Sequence, residues 1–175
     1  MTPRIRPFQP ADAPGLRDLL PAAFPEEDLA PLVEALRADP TAEPVELVAG
    51  DAEPTGHILF TRVTVEGAAE VRASILSPLS VAPGSRGLGL GSALVHTGLE
   101  YLRSRGDDLC LVLGDPAYYG RLGFTAAAAR ELAAPHPLPE AYAGAWQATW
   151  LTEPRTAAGT IRPAAPLAPR SLWTD

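Results

Sequence analysis

The chain has 175 residues and a formal net charge of −7, with 46% hydrophobic and 20% charged residues, and all fourteen of its basic residues are Arg because Lys is absent. Without Lys there is no P-loop lysine for phosphates, no amine for Schiff-base or pyridoxal chemistry and no strand lysine of a protein kinase. The acidic balance also argues against a duplex DNA binder, which needs a basic face.

Asn is absent too, whereas Ala, Gly, Pro and Arg abound. That is the codon signature of a GC-rich genome, and a bacterial source is expected. The length suits one domain spanning 1–175, and the composition suits a globular protein with a substantial core. Cys110, alone in the chain and set in an apolar "LCLVL", reads as a core thiol in a reducing compartment. No cysteine–histidine spacing fits a metal site. The opening "MTPRIRPFQP" lacks an apolar signal-peptide core, and no apolar run reaches membrane-spanning length. A cytoplasmic protein is expected.

In chain order, Arg4 to Phe8 predicts a short first strand. Leu16, Leu19, Leu20, Ala23 and Phe24 keep the spacing of one buried helical face, and Leu29, Leu32, Val33 and Leu36 repeat it. Glu26, Glu27 and Asp28 are expected in the first turn of that second helix. Val45–Ala49, Gly56–Glu66 and Val71–Val81 read as strands, the last two joined across Gly67–Ala69 as an antiparallel hairpin.

A strand, a glycine-rich turn and a helix follow in "SPLSVAPGSRGLGLGSALVHTGLEYLRSRG", and "DLCLVLG" then reads as a buried strand parallel to the one before the turn. "DPAYYGRLGF" predicts a short helix capped by Asp115, with Pro116 in its first position. Trp146–Leu151 reads as one late strand. The segment from Glu153 onward, dense in Pro, is expected as a wrapping loop or loose tail over 154–175.

The chemistry concentrates at Arg86-Gly87-Leu88-Gly89-Leu90-Gly91-Ser92. Alternating glycines leave backbone N–H groups uncovered where a helix begins, which suits a phosphate. Two ligands compete. Gly87, Gly89 and Ser92 nearly match the dinucleotide fingerprint, and Asp115 ends the next strand where a ribose-binding acid would lie. This alternative would make the chain a nicotinamide-dependent oxidoreductase. The antiparallel strands before the turn speak against it.

The other ligand is coenzyme A. Arg86-x-x-Gly89-x-Gly91 after a strand ending in Leu79–Val81, coupled to Tyr118-Tyr119-Gly120-Arg121-Leu122-Gly123-Phe124 after the next strand, resembles the GCN5-related N-acetyltransferase (GNAT) superfamily, in a bacterial subgroup of acetyltransferases. The resemblance runs over residues 4 to 125. It implies an α/β fold with a mixed, mostly antiparallel central sheet flanked by helices and splayed at the CoA-binding strand pair.

The resemblance also implies acetyl transfer from acetyl-CoA to a primary amine of a small molecule or peptide, by direct attack and without a metal. Backbone groups at Leu79, Ser80 and Val81 would meet the pantetheine arm, and Gly87, Leu88, Gly89, Leu90, Gly91 and Ser92 the pyrophosphate. Arg86, Asp115 and Arg121 would complete the cofactor site, although many members carry Asn and Lys where this chain has Asp115 and Arg121. Tyr119 would protonate the departing thiolate. Phe24, Glu26, Glu27, Tyr142 and Trp146 are candidates for the acceptor pocket. Glu53, His57, Glu66 and Glu70 are the groups available as a base, none singled out by pattern, and a water chain is the alternative. A non-catalytic acyl-CoA sensor on the same fold and a homodimer are both compatible with the resemblance.

Overall fold

The computed structural model describes residues 3–175. Strand β1 (Ile5–Pro7) leads into helix α1 (Ala13–Ala23) and helix α2 (Ala30–Ala38). Strands β2 (Val45–Ala49), β3 (Gly56–Val65) and β4 (Ala73–Val81) form the antiparallel meander expected from the sequence. Helix α3 (Leu90–Ser104) then crosses to strand β5 (Leu109–Leu113), which pairs parallel with β4. Helix α4 (Pro116–Gly120), strands β6 (Leu132–Ala133), β7 (Trp146–Trp150) and β8 (Gly159–Pro163), and helix α5 (Ser171–Thr174) complete the chain.

The main strand order is β1-β2-β3-β4-β5-β7, with β8 added to β3 and β6. The ten-residue β3 shares one edge between two partners: β2 covers its first half, and β8 pairs with Val63 to Val65. Among the described residues only the β4–β5 and β6–β8 pairs are parallel. A dinucleotide fold needs a run of parallel strands linked by helices, so the oxidoreductase alternative fails on topology.

The period-two alternation of the strands sorts their side chains onto two faces. Leu47, Ile58, Phe60, Leu76, Cys110 and Val112 pack under Leu90, Leu94, Val95, Leu99 and Leu102 of α3. On the opposite face, Leu59, Val63, Ile75, Leu109 and Leu111 meet Leu20, Val33 and Leu36 of the first two helices. Burying each such aliphatic side chain stabilises by about 1.5–3 kcal/mol. Helix α3 lies close to the sheet because Gly98 faces the Phe60 ring, which a Cβ there would overlap.

Two expectations need correction. Glu26 to Asp28 fall in the loop before α2, which starts only at Ala30; Pro31 sits in its first turn, where a missing N–H costs nothing. The segment after Glu153 is no loose tail. Its β8 joins the sheet, and Ile161, Ala164, Leu167 and Trp173 enter the core.

The feature that positions the site is a fork between β4 and β5. Their pairing runs from Ala73–Leu109 to Leu76–Val112 and stops, although β4 continues to Val81. On the other side of β4, the register against β3 shifts between Ile58–Leu79 and Phe60–Leu76, so one extra β4 residue is accommodated there. Such a bulge bends its strand, and Ser77 and Pro78 lie within it. Pro78 also has no N–H to offer a neighbouring strand. The two strands part where the bulge begins.

Candidate active site

A cleft of about 1220 Å³ occupies the fork. Its walls include Leu76, Leu90, Val112 and Tyr119 from the α3 side and Ile75, Leu113, Leu167 and Trp173 from the opposite side. The cleft therefore reaches both faces of the sheet.

On the α3 side the glycine-rich turn forms the wall. Gly87 and Gly89 adopt φ of +78° and +81°, a left-handed backbone that a Cβ would strain. Gly89 is the N-cap of α3, and Ala93 N–H is the donor that returns to its carbonyl, at 3.0 Å. The N–H groups of Leu90, Gly91 and Ser92 thus precede the first helical acceptor and stand free at the positive end of a fifteen-residue helix. The Tyr118 hydroxyl lies against Gly91, where a Cβ would overlap it. Arg121 lies over the Tyr118 ring, 5.5 Å from its centroid.

Asp115 caps α4 by accepting the Ala117 N–H at 2.9 Å. The cap fixes the short helix so that Tyr119 turns back into the cleft. Its ring meets Tyr118 and Phe124 edge-on at 5.1 and 5.6 Å, and Gly114 leaves room for it. Burial, reinforced by Tyr118 and Cys110, pushes the Tyr119 phenol well above its usual range, so it is a neutral O–H donor at any physiological pH. Burial likewise raises the Cys110 thiol, which lies wholly inside the core, as expected of an inert thiol.

The structure brings together Leu79, Val81, Arg86, Gly87, Gly89, Leu90, Gly91, Ser92, Asp115, Tyr119 and Arg121 around one cleft. Two further residues named with them lie outside its walls. Leu88 projects outward, 77% exposed, and Ser80 is buried opposite His57 in the β3–β4 register. Arg86 donates to the carbonyls of Val81 at 3.3 Å and Ala23 at 3.0 Å, which ties the glycine-rich turn to the C-terminal end of α1.

Of the acceptor candidates, Phe24, Glu27 and Tyr142 line the cleft, and Glu26 and Trp146 do not. Trp146 is a core residue that donates to the Leu132 carbonyl at 2.7 Å. None of Glu53, His57, Glu66 and Glu70 lines the cleft. Glu66 pairs with Arg162 at 2.7 Å. His57 is fully buried and donates from Nε2 to Glu46 at 2.8 Å, while Arg37 holds the same carboxylate at 2.7 Å.

Sequence reasoning missed the contribution of the last residues, since Leu167, Leu172, Trp173 and Asp175 also line the cleft. A signal existed in the alternation of "GTIRP", bounded by Gly159 and Pro163, but the surrounding prolines masked it. Among the described residues no cluster of His, Cys, Asp and Glu could hold a metal ion, and no helix is long and apolar enough to cross a membrane.

The chain as a whole is similar to known proteins. The acetyltransferase (GNAT) domain family matches residues 4–127, and the chain belongs to that family. It is 39% identical over 161 residues to the uncharacterized N-acetyltransferase YjhQ of Escherichia coli K12, covering 89% of each chain. It is 40% identical over 136 residues to the uncharacterized N-acetyltransferase YhbS of the same strain, covering 77% of each. The crystal structure of the Escherichia coli YhbS protein in complex with CoA superposes with a TM-score of 0.86 at 32% identity, over 97% of this chain and 94% of that one. A GNAT acetyltransferase from Brucella melitensis, in complex with acetyl-CoA, gives 0.75 at 31% identity, over 94% and 97%.

Proposed function

We propose that the chain transfers an acetyl group from acetyl-CoA to a primary amine by direct attack. The observation that carries this reading is the convergence, on one cleft, of the free N–H groups at the start of α3, the unpaired stretch of β4 and the Tyr119 phenol. The residues present fit coenzyme A. The turn from Gly87 to Ser92 offers donors for a pyrophosphate, with open space beside Gly87 and Gly89. Arg121 supplies a cation on the same side. Leu79 to Val81, free of β5, can bond an extended pantetheine arm as a strand would.

In that arrangement each group has one task. Backbone N–H groups near Leu79–Val81 stabilise the oxyanion that forms when the amine nitrogen attacks the thioester carbonyl. Tyr119 gives its proton to the sulfur as the C–S bond breaks, and recovers it from solvent. The proton lost by the attacking amine leaves through water, consistent with the absence of Glu53, His57, Glu66 and Glu70 from the cleft walls. Asp115 acts by capping α4 and so aiming Tyr119.

The test is thermal unfolding with acetyl-CoA, CoA, NAD or buffer. At 100 times its Kd a ligand adds about 2.7 kcal/mol, so both CoA species should raise the Tm by several degrees and NAD should not. Equal melting with and without CoA would sink the proposal. Protection by acetyl-CoA with no thiol release for any amine would leave a sensor instead.

A further inference from the structure

The cleft has a second half that the acetyl-CoA reading does not use. On the face opposite α3 its wall is built by the C-terminal segment. Trp173 stacks edge-on against Trp146 with centroids 5.8 Å apart and donates from its ring to the Leu167 carbonyl at 2.9 Å. Trp146 in turn pairs with Leu113, the last residue of β5. The stack therefore fixes the segment beside the open end of the fork.

The surfaces presented there are apolar. Trp173 and Leu167 are buried beneath the cleft, Leu172 is 42% exposed, and Phe24 and Tyr142 close the sides. Two carboxylates, Glu27 from the α1–α2 loop and Asp175 beyond α5, are exposed at this rim. Neither enters an ion pair among the described residues. The arginines of the cleft are committed elsewhere: Arg121 lies over Tyr118 at the glycine-rich end, and Arg86 is turned onto the Ala23 and Val81 carbonyls.

From this pairing of an apolar wall with unpaired carboxylates we infer that the acceptor is a small amine with an apolar body of about the size of an aryl ring and no carboxylate of its own. The C-terminal segment is the element that selects it. The inference rests on the acetyl-transfer reading. An apolar body displaces water from Phe24, Leu172 and Tyr142. An ammonium group approaching the rim is attracted by Glu27 and Asp175, and an amino-acid carboxylate is repelled by them. The amine sheds its proton before attack, so the carboxylates act on capture and orientation, not on the chemical step.

Thiol release with acetyl-CoA and three acceptors tests this. Phenethylamine and phenylalanine differ by one carboxylate, and phenethylamine and ethylamine by the ring. Phenethylamine should exceed both in kcat/KM by at least roughly tenfold. In the double variant Glu27→Gln, Asp175→Asn the preference over phenylalanine should shrink severalfold, and in Leu172→Ala the preference over ethylamine should shrink. All three replaced side chains are exposed, so the folds should persist, and the acetyl-CoA-induced rise in Tm should be retained. Phenylalanine or ethylamine used as well as phenethylamine, or preferences unmoved in the variants, overturns the inference. So does protection by acetyl-CoA without turnover of any of the three. No protection by acetyl-CoA overturns the underlying reading, and this one with it.

Discussion

Burial, with Tyr118 and Cys110 beside it, holds the Tyr119 phenol neutral and protonated, so it stands ready as an O–H donor, and passing its proton to the sulfur costs more than it would for a free phenol. A positioned general acid contributes roughly 10²–10⁴-fold. Tyr119→Phe should therefore lower kcat by at least about tenfold in thiol-release assays, with little change in the KM for acetyl-CoA. Any alkaline limb of the pH–rate profile below pH 10 should survive the substitution, because this phenol does not titrate there. An unchanged kcat would remove the acid role and leave the family assignment intact. Tyr119 was legible in the sequence because it stands five residues before Phe124 in a segment coupled to the glycine-rich turn. His57 was not legible in the same way. At the start of a strand it could face water or core, and only the folded chain shows it turned inward onto Glu46.

Helix α3 and its turn could be read directly from the chain, because glycine spacing and a 3.6-residue period both report on local backbone. The fork between β4 and β5 could not, because it depends on register between strands separated by a helix. The C-terminal segment was misread for a related reason: its prolines signal loop, and its strand is held by partners almost a hundred residues away in β3. That segment is an integral wall, and it should behave as one. Trp173 is 3% exposed and packs on Trp146. Trp173→Ala should cost about 3–5 kcal/mol in denaturant unfolding, the usual loss for a large buried aromatic. A loss under about 1 kcal/mol would mean the segment is only laid against the domain. The same comparison separates it from Leu172→Ala, which removes exposed surface and should be nearly neutral for stability.

At the scale of the whole molecule, a cluster on the α1–α2 face contributes to the response to acid. Burial alone would raise the Glu46 carboxyl, but hydrogen bonds from Arg37 and His57 outweigh it and hold the carboxyl below its ordinary range. A carboxyl depressed in the folded state contributes stability above its unfolded value, near about 4.3, and loses it as pH falls through the folded value. The Tm should therefore hold near neutrality and drop below about pH 4.3. In Glu46→Gln the neutral-pH Tm should be lower and the acid decline shallower; an equally steep decline would assign it to other carboxylates, such as Asp12 with Arg6. The fork has its own consequence at this scale. Exposed strand edges invite pairing with other chains, and natural sheets blunt them. Here the unpaired edge is placed inside the sheet, only a few residues long, and interrupted by Pro78. A foreign strand cannot zip along it, so the opening that makes the molecule receptive to an extended ligand does not make it prone to edge-to-edge aggregation.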